Sequence, residues 1–334
     1  MQLQQLVYFL TVAQTRHFTQ AAQQLEIAQP SLSQQIRALE KSLGAELFDR
    51  VRGNITLTPA GEALLPIAER ITADVETARQ EVRELVELRS GRVRLGAPPS
   101  LLTGLLPGVA RLYRQRYPGI RLVIDESGSR DLVAKAATGA LDLALLVLPL
   151  HADDPALVTT PLLREDLVVV SSFNEPAPTD GRPIAISELR GRPMVMFRPG
   201  YDLREATVSA CRRAGFAPNL AVEGGEMDAV LSMVEAGLGL AVLPSTVVAG
   251  RTTHRVTPIT SPGLSRTIGL AHRSGAQPPR AARELRQALM EYLSEAAANG
   301  RLPLGTELIT PAAWRNGTWD DEPVPHSPGL VTSG

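Results

Sequence analysis

The stretch that most restricts what this chain can fold into runs from Phe18 to Gly61, FTQAAQQLEIAQPSLSQQIRALEKSLGAELFDRVRGNITLTPAG. Ala21, Ala22 and Leu25 form a short apolar face, and Glu26 and Ile27 leave room only for a tight connection. Leu32, Ile36, Leu39 and Leu43 then recur at i, i+4, i+7 and i+11, the period of a second helix. The opposite face is polar, with Ser31, Ser33, Gln34, Gln35 and Arg37. Small residues at the contact let two short helices cross closely, and the Ser, Gln and Arg side chains of the second suit reading of a DNA major groove. Past Gly44, the segments Leu47 to Arg50 and Ile55 to Thr58 read as two strands around a Gly-Asn turn, with Arg50 and Arg52 at its tip. The plainer alternative is a structural three-helix unit with a hairpin.

Many spaced residues in this region fit one pattern. They are Phe9 and Ala13, Phe18-Thr19 with Ala21-Ala22 and Leu25, then Gln29-Pro30-Ser31 through Ser33, Ile36, Leu39 and Glu40. Leu43-Gly44, Leu47-Phe48, Arg50 and Leu57-Thr58-Pro59-Ala60-Gly61 complete the series. In these residues the first ninety or so positions resemble the N-terminal domain of a LysR-type transcriptional regulator. The resemblance implies that Thr19, Gln29, Pro30, Ser31, Ser33, Gln34, Arg37, Arg50 and Arg52 meet double-stranded promoter DNA. One departure stands out. The family usually opens its third helix with Ser or Thr, whereas Ala28 here is a poor N-cap.

The chain has 334 residues, enough for two or three domains with separate cores. Its formal net charge is −1, so bulk charge does not draw it to nucleic acid. Residues 1–61 carry five Lys or Arg (Arg16, Arg37, Lys41, Arg50, Arg52) against four acids (Glu26, Glu40, Glu46, Asp49). Binding must therefore depend on where those cations sit and on helix N-termini that face phosphates. The chain opens without a basic-then-apolar signal pattern and has no apolar run of spanning length, so a soluble, cytoplasmic protein is expected.

From Gly61 to Ser90, Leu64, Ala68, Ile71, Val75, Ala78, Val82 and Leu85 recur at steps of four and three. That heptad seam predicts a long helix, about 40 Å in length, flanked by Glu and Arg. Pro66 falls near its start. A seam so long asks for a partner helix, most simply that of a second chain, giving a homodimer or a homotetramer. Packing along its own C-terminal half is the alternative. From Arg92 strands and helices alternate, as in parallel sheets covered by helices. The fold class expected is thus α/β, with an α-rich N-terminal winged helix-turn-helix.

Pro118-Gly119-Ile120, Gly139-Ala140-Leu141-Asp142, Ala214-Gly215-Phe216 with Pro218, and Val234 through Gly237-Leu238-Gly239 to Leu243-Pro244 extend the resemblance. It implies a two-lobed, periplasmic-binding-protein-like effector domain. The expected organisation is residues 1–61 for the DNA-binding domain, 62–90 for the linker and dimerisation helix, and 91–298 for the effector domain. Lobe I takes about 91–164 and 267–298, and lobe II about 165–266. Residues 299–334, rich in Pro, Gly and Thr, read as an irregular tail that the resemblance does not cover.

Clefts between such lobes collect strand ends and helix N-termini that attract anions. The residues placed there are Ser100 and Leu101, Ser129, Phe197, Arg198, Pro199, Tyr201, Glu226 and Met227. Each serine serves equally well as a helix cap. Arg198, beside two aromatics, either pairs with a carboxylate or is a solvated loop arginine. The expected effector is a small carboxylate, with Glu226 and Asp202 opposing it if they point inward. The single cysteine, Cys211, excludes an internal disulfide and two-cysteine oxidant sensing. No zinc spacing, P-loop or nucleotide-binding glycine pattern appears, so no catalytic residue, metal or cofactor is assigned and an enzyme is not expected. The resulting expectation is a DNA-binding transcriptional regulator modulated by a small molecule, with RNA polymerase as a further partner. A small-molecule-binding protein or co-repressor scaffold, with DNA binding secondary, stays open as the alternative.

Overall fold

The computed structural model describes residues 1–49, 55–84, 91–150 and 154–309. Three helices open the chain: α1 (Leu3–Thr15), α2 (Phe18–Gln24) and α3 (Gln29–Leu43). Their apolar faces meet in one core containing Leu6, Phe9, Val12, Ala21, Ala22, Leu32, Ile36 and Leu39. Between α2 and α3 the chain reverses through Glu26 at φ 55°. The Ile27 amide then donates to the Ala22 carbonyl at 3.0 Å. Ala28 gives α3 no side-chain cap, and Pro30 in the first turn contributes its preset φ instead. Gly44 ends the helix at φ 72°, a conformation glycine adopts without a Cβ clash.

The wing is short. β1 (Phe48–Asp49) and β2 (Thr56–Leu57) pair antiparallel, Phe48 opposite Leu57. Its tip, with Arg50 and Arg52, lies outside the described residues. The Thr58 hydroxyl accepts from the Gly61 amide at 3.1 Å and so caps α4 (Pro59–Glu84).

The heptad seam of α4 is divided. Leu64 and Ile71 pack with fully buried Ala68 into the N-terminal core. Further along, Ala78 is exposed and Val82 is 67% exposed, and Leu85 lies outside the described residues. Part of the surface expected to seek a partner helix is therefore used by the chain's own winged domain.

In the C-terminal half, β3 (Gly91–Ala97), β4 (Ile120–Glu126) and β5 (Leu143–Leu148) are parallel. β11 (Ser265–Arg273) runs antiparallel to β5 and to β6 (Leu157–Ser172). Helices α5 (Pro99–Gly104), α6 (Leu106–Arg116) and α11 (Arg280–Ala298) cover one face of this sheet, and α7 (Ser129–Ala137) the other. Along β5, Leu143 and Leu145 enter the first core and Ala144 and Leu146 the second. A strand buried on both faces reads as an unbroken apolar run, as this one does. The apolar run from Leu101 to Gln115 reads as a single helix, yet it forms two, because Pro107 offers no amide and its ring clashes with the preceding turn.

The second lobe is built on β7 (Pro193–Met196), α8 (Asp202–Arg213), β8 (Asn219–Glu223), α9 (Met227–Glu235), β9 (Ala241–Pro244), α10 (Ser245–Val248) and β10 (His254–Pro258). β7 and β8 are parallel, while β9 and β10 flank the distal half of β6. The 16-residue strand β6 is thus common to both lobes. The apolar pattern of the sequence marks this strand only from Asp166 and does not disclose β10. Everything past Asn299 reads as irregular, yet β12 (Thr306–Leu308) adds an edge strand to β6. Leu302 and Leu308 pack on the first lobe's core there, which a segment rich in Pro and Gly does not announce. Residues 310–334 lie outside the described residues.

Gly61 is held by close approach: a Cβ there would stand 2.2 Å from the Leu47 carbonyl oxygen. Gly61→Ala is expected to cost about 1–3 kcal/mol through overpacking. Hydrogen exchange should accelerate in residues 1–62 and stay unchanged in residues 91–298.

Candidate functional site

Helix α3 presents one continuous outer stripe. Burial of Leu32, Ile36 and Leu39 turns Pro30, Gln34, Arg37 and Lys41 outward at steps of four, three and four. Gln29 and Ser31 are exposed at the start of the helix. Gln29 Nε2 donates to the half-buried Ser33 hydroxyl at 2.9 Å. Thr19 is exposed at the start of α2, its amide donating to His17 Nδ1 at 3.2 Å. Gln35 is different: its amide oxygen accepts from Gln5 of α1 at 3.2 Å, which ties two helices together. The exposed stripe has hydrogen-bonding groups and two cations on a convex helix, with the wing beside it.

A second cluster lies where the lobes meet. Ser100, at the start of α5, is fully buried, and its hydroxyl accepts from Arg266 Nη2 at 2.9 Å. Arg266 Nε donates to Glu165 Oε1 at 2.6 Å. The Thr246 hydroxyl donates to Glu165 Oε2, also at 2.6 Å. Glu165 is 0% exposed and Arg266 9%, so a complete ion pair is sealed between β6 and β11. A buried pair recovers its desolvation cost only if the remaining lone pairs and protons are satisfied, and Ser100 and Thr246 do this. The other three members of this network, Arg266 on Ser100 and, beyond it, Glu165 and Thr246, escape a reading of the sequence alone. The available signal is a charged residue inside the run Leu162 to Val170, where β-alternation makes Glu165 face the interior.

Towards the mouth of the cleft, the Ser129 hydroxyl of lobe I donates to Asp202 of lobe II. Arg198 Nε donates to Glu226 Oε1 at 2.7 Å, with both side chains 46% exposed. Glu226 Oε2 has no hydrogen-bond partner among the described residues, and the hydroxyl of buried Tyr201 lies beside the Ser100 backbone. Burial pushes the Tyr201 phenol well above its ordinary pKa, so it stays protonated and able to donate. Phe197 and Tyr201 stack at 4.6 Å. Phe197 and Met227 are part of the lobe II core, and Leu101 of the lobe I core; Pro199 is exposed. The structure thus gathers Ser100, Ser129, Arg198, Tyr201 and Glu226 around the interlobe seam, while the three apolar residues act from the cores behind it.

The family description "Bacterial regulatory helix-turn-helix protein, lysR family" matches residues 3–62, and "LysR substrate binding domain" matches residues 87–294. The chain belongs to the LysR family of transcriptional regulators. It is 31% identical to the transcriptional dual regulator GltC of Bacillus subtilis, over 88% of this chain and 98% of that one. It is 34% identical to a probable hydrogen peroxide-inducible genes activator of Streptomyces viridosporus, over 88% and 95%. Among solved structures, a full-length OxyR variant from Pseudomonas aeruginosa superposes with a TM-score of 0.67 at 26% identity, covering 93% of this chain and 99% of that one. These relatives are regulators rather than enzymes, and this chain is a DNA-binding regulator with an effector-binding domain. Among its described residues no helix is long and apolar enough to cross a membrane, and no cluster of His, Cys, Asp and Glu could hold a metal.

The sealed ion pair makes a sharp stability prediction. Glu165→Ala strands the Arg266 charge and should cost about 3–5 kcal/mol. Glu165→Gln keeps an acceptor for Thr246 and should cost less. Urea denaturation of the two variants measures the difference, and equal losses would mean that the lost charge, common to both, sets the cost and the acceptor for Thr246 adds nothing.

Proposed function

We propose that this regulator binds promoter DNA as a homodimer or homotetramer, and that a small effector entering between the lobes changes its DNA contacts. The observation that carries this reading is the buried polar network of Ser100, Arg266, Glu165 and Thr246. An inert seam between two lobes would be filled with apolar side chains, whereas this one holds a directional polar network whose geometry a ligand at the mouth of the cleft can shift. On the DNA side, Gln29, Pro30, Ser31, Ser33, Gln34 and Arg37 of α3 read the major groove. Thr19, Arg50 and Arg52 add contacts from α2 and the wing. The distal seam of α4, half-buried at Val75 and exposed at Ala78 and Val82, supplies the surface for a second chain. The protein acts in the cytoplasm, where promoter and RNA polymerase are found together.

The effector is a small carboxylate. This reading is supported by Glu226, whose carboxylate accepts from Arg198 Nε and so shows what chemistry that guanidinium takes. An incoming carboxylate takes that place by exchange of like for like, its apolar part facing the Phe197 and Tyr201 rings. Ser129, whose hydroxyl oxygen can still accept, and the protonated Tyr201 hydroxyl offer further hydrogen bonds. A thiol response to oxidant has little support here. Cys211 is the only cysteine, and burial raises its pKa and so disfavours the reactive thiolate.

The test is a gel shift on DNA flanking the protein's own gene, repeated with a panel of metabolites. Gln34→Ala should lose about 1–3 kcal/mol of discrimination at one base of each half-site. Uniform weakening on all sequences would place Gln34 off the bases. Arg198→Ala should keep DNA affinity and lose the effector response. A neutral or cationic effector that acts equally on Arg198→Ala would defeat the carboxylate reading.

A further inference from the structure

Away from the cleft, lobe I grips the linker helix. The Arg273 guanidinium, at the end of β11, donates to Asp74 of α4. Beside it, Arg92 at the start of β3 pairs with Glu76 at 3.3 Å. Ala73 of α4 is 7% exposed and lies against Gly139. A Cβ at Gly139, whose φ is +76°, would approach Ala73 Cβ to 3.3 Å and Arg273 Nη1 to 3.2 Å. The absence of a side chain there is thus what lets helix and lobe touch. A cavity of about 40 Å³ remains at the junction, lined by Thr77, Arg94, Asp142 and His272 among others. Arg273 Nη1 is buried beside it with no hydrogen-bond partner among the described residues. Behind it, the Arg94 amide donates to Asp142 at 2.7 Å, which fixes the β3 edge.

The same strand, β11, has Arg266 at its other end, inside the interlobe network. Arg273 lies seven positions after Arg266, about 23 Å along the strand at the usual rise. β11 is hydrogen-bonded to β5 on one side and β6 on the other. A strand held on both sides shifts as a piece more readily than it stretches, so a displacement at Arg266 is delivered to Arg273.

We propose that Arg273 is the positioning residue that sets the angle of the linker helix, through Asp74, and that β11 conveys changes at Arg266 to it. A half-exposed ion pair adds little to stability, so its consequence is geometric: it selects one orientation of α4 and with it the placement of the winged domain. The inference rests on the interlobe effector reading only for what moves β11; the grip on α4 stands without it.

The test is pulsed electron paramagnetic resonance on the full chain, without effector or DNA. Spin labels go on cysteines introduced at exposed Ala78 of α4 and exposed Arg114 of α6, and excess unlabelled chain isolates the distance within one protomer. The native charges should give one narrow distance. Asp74→Arg should broaden or displace it, and Asp74→Arg combined with Arg273→Asp should restore it. Asp74 is half exposed, and thermal melting checks that the variants fold. An unchanged distribution in Asp74→Arg, or failure of the charge exchange to restore it, overturns the grip. Glu165→Gln should shift the distance while the native pair is present and not in the Asp74→Arg background. Ser100→Ala, which removes the acceptor of Arg266 without stranding a charge, serves where Glu165→Gln fails to fold. No shift from the cleft variant overturns the route through β11, and leaves the question of effector binding to the gel shift.

Discussion

The arrangement of the C-terminal half depends on one buried ion pair. Glu165 and Arg266 sit on β6 and β11, near where the chain passes between the lobes, and each would be very costly to bury alone. Together, with Ser100 from lobe I and Thr246 from lobe II completing their hydrogen bonds, they hold the two lobes in one relative position. Apolar surfaces tolerate small slips because they are not directional. A guanidinium between a carboxylate and a hydroxyl has far fewer acceptable geometries. The seam therefore has a defined closed arrangement, and any molecule that competes for these groups changes it.

That arrangement matters to DNA because α4 touches both ends of the protein. Its first turns complete the core of the winged domain through Leu64, Ala68 and Ile71. Its middle rests on lobe I through Ala73 and Asp74. A helix is stiff along its axis, so its contacts with lobe I bear on where α3 points. The first part of the heptad repeat is thus used within the chain, which a repeat by itself does not disclose: the same Leu, Ile and Val side chains suit a second chain and the chain's own domain equally well.

Much of the exposed face of α3 was legible in the sequence. The period of Leu32, Ile36 and Leu39 determines which side of α3 is buried, so the outward direction of Gln34 and Arg37 follows from helical geometry alone. Gln35 shows the limit. It belongs with the polar residues by type, yet it turns in to meet Gln5, thirty residues earlier, because a polar side chain at the edge of a core is drawn to whatever partner the tertiary fold brings near. The strand β12 and the early part of β6 are hidden for a related reason. An edge strand gains its stability from the neighbour it pairs with rather than from its own composition.

Sequence alone determined the alternation of elements and the position of the second helix of the helix-turn-helix, since these follow from local periodicity and from turn residues such as Gly44, while the two-lobed plan came from resemblance to a family. It also put Ser100, Ser129, Arg198 and Tyr201 near strand ends and helix starts. Only the tertiary structure decided their partners. Arg198 is taken by Glu226, Ser129 by Asp202 and Ser100 by Arg266, in pairs separated by 28, 73 and 166 positions. Pattern in a chain records which face a residue occupies. Which charge it meets depends on distances across the fold, and no local rule contains them.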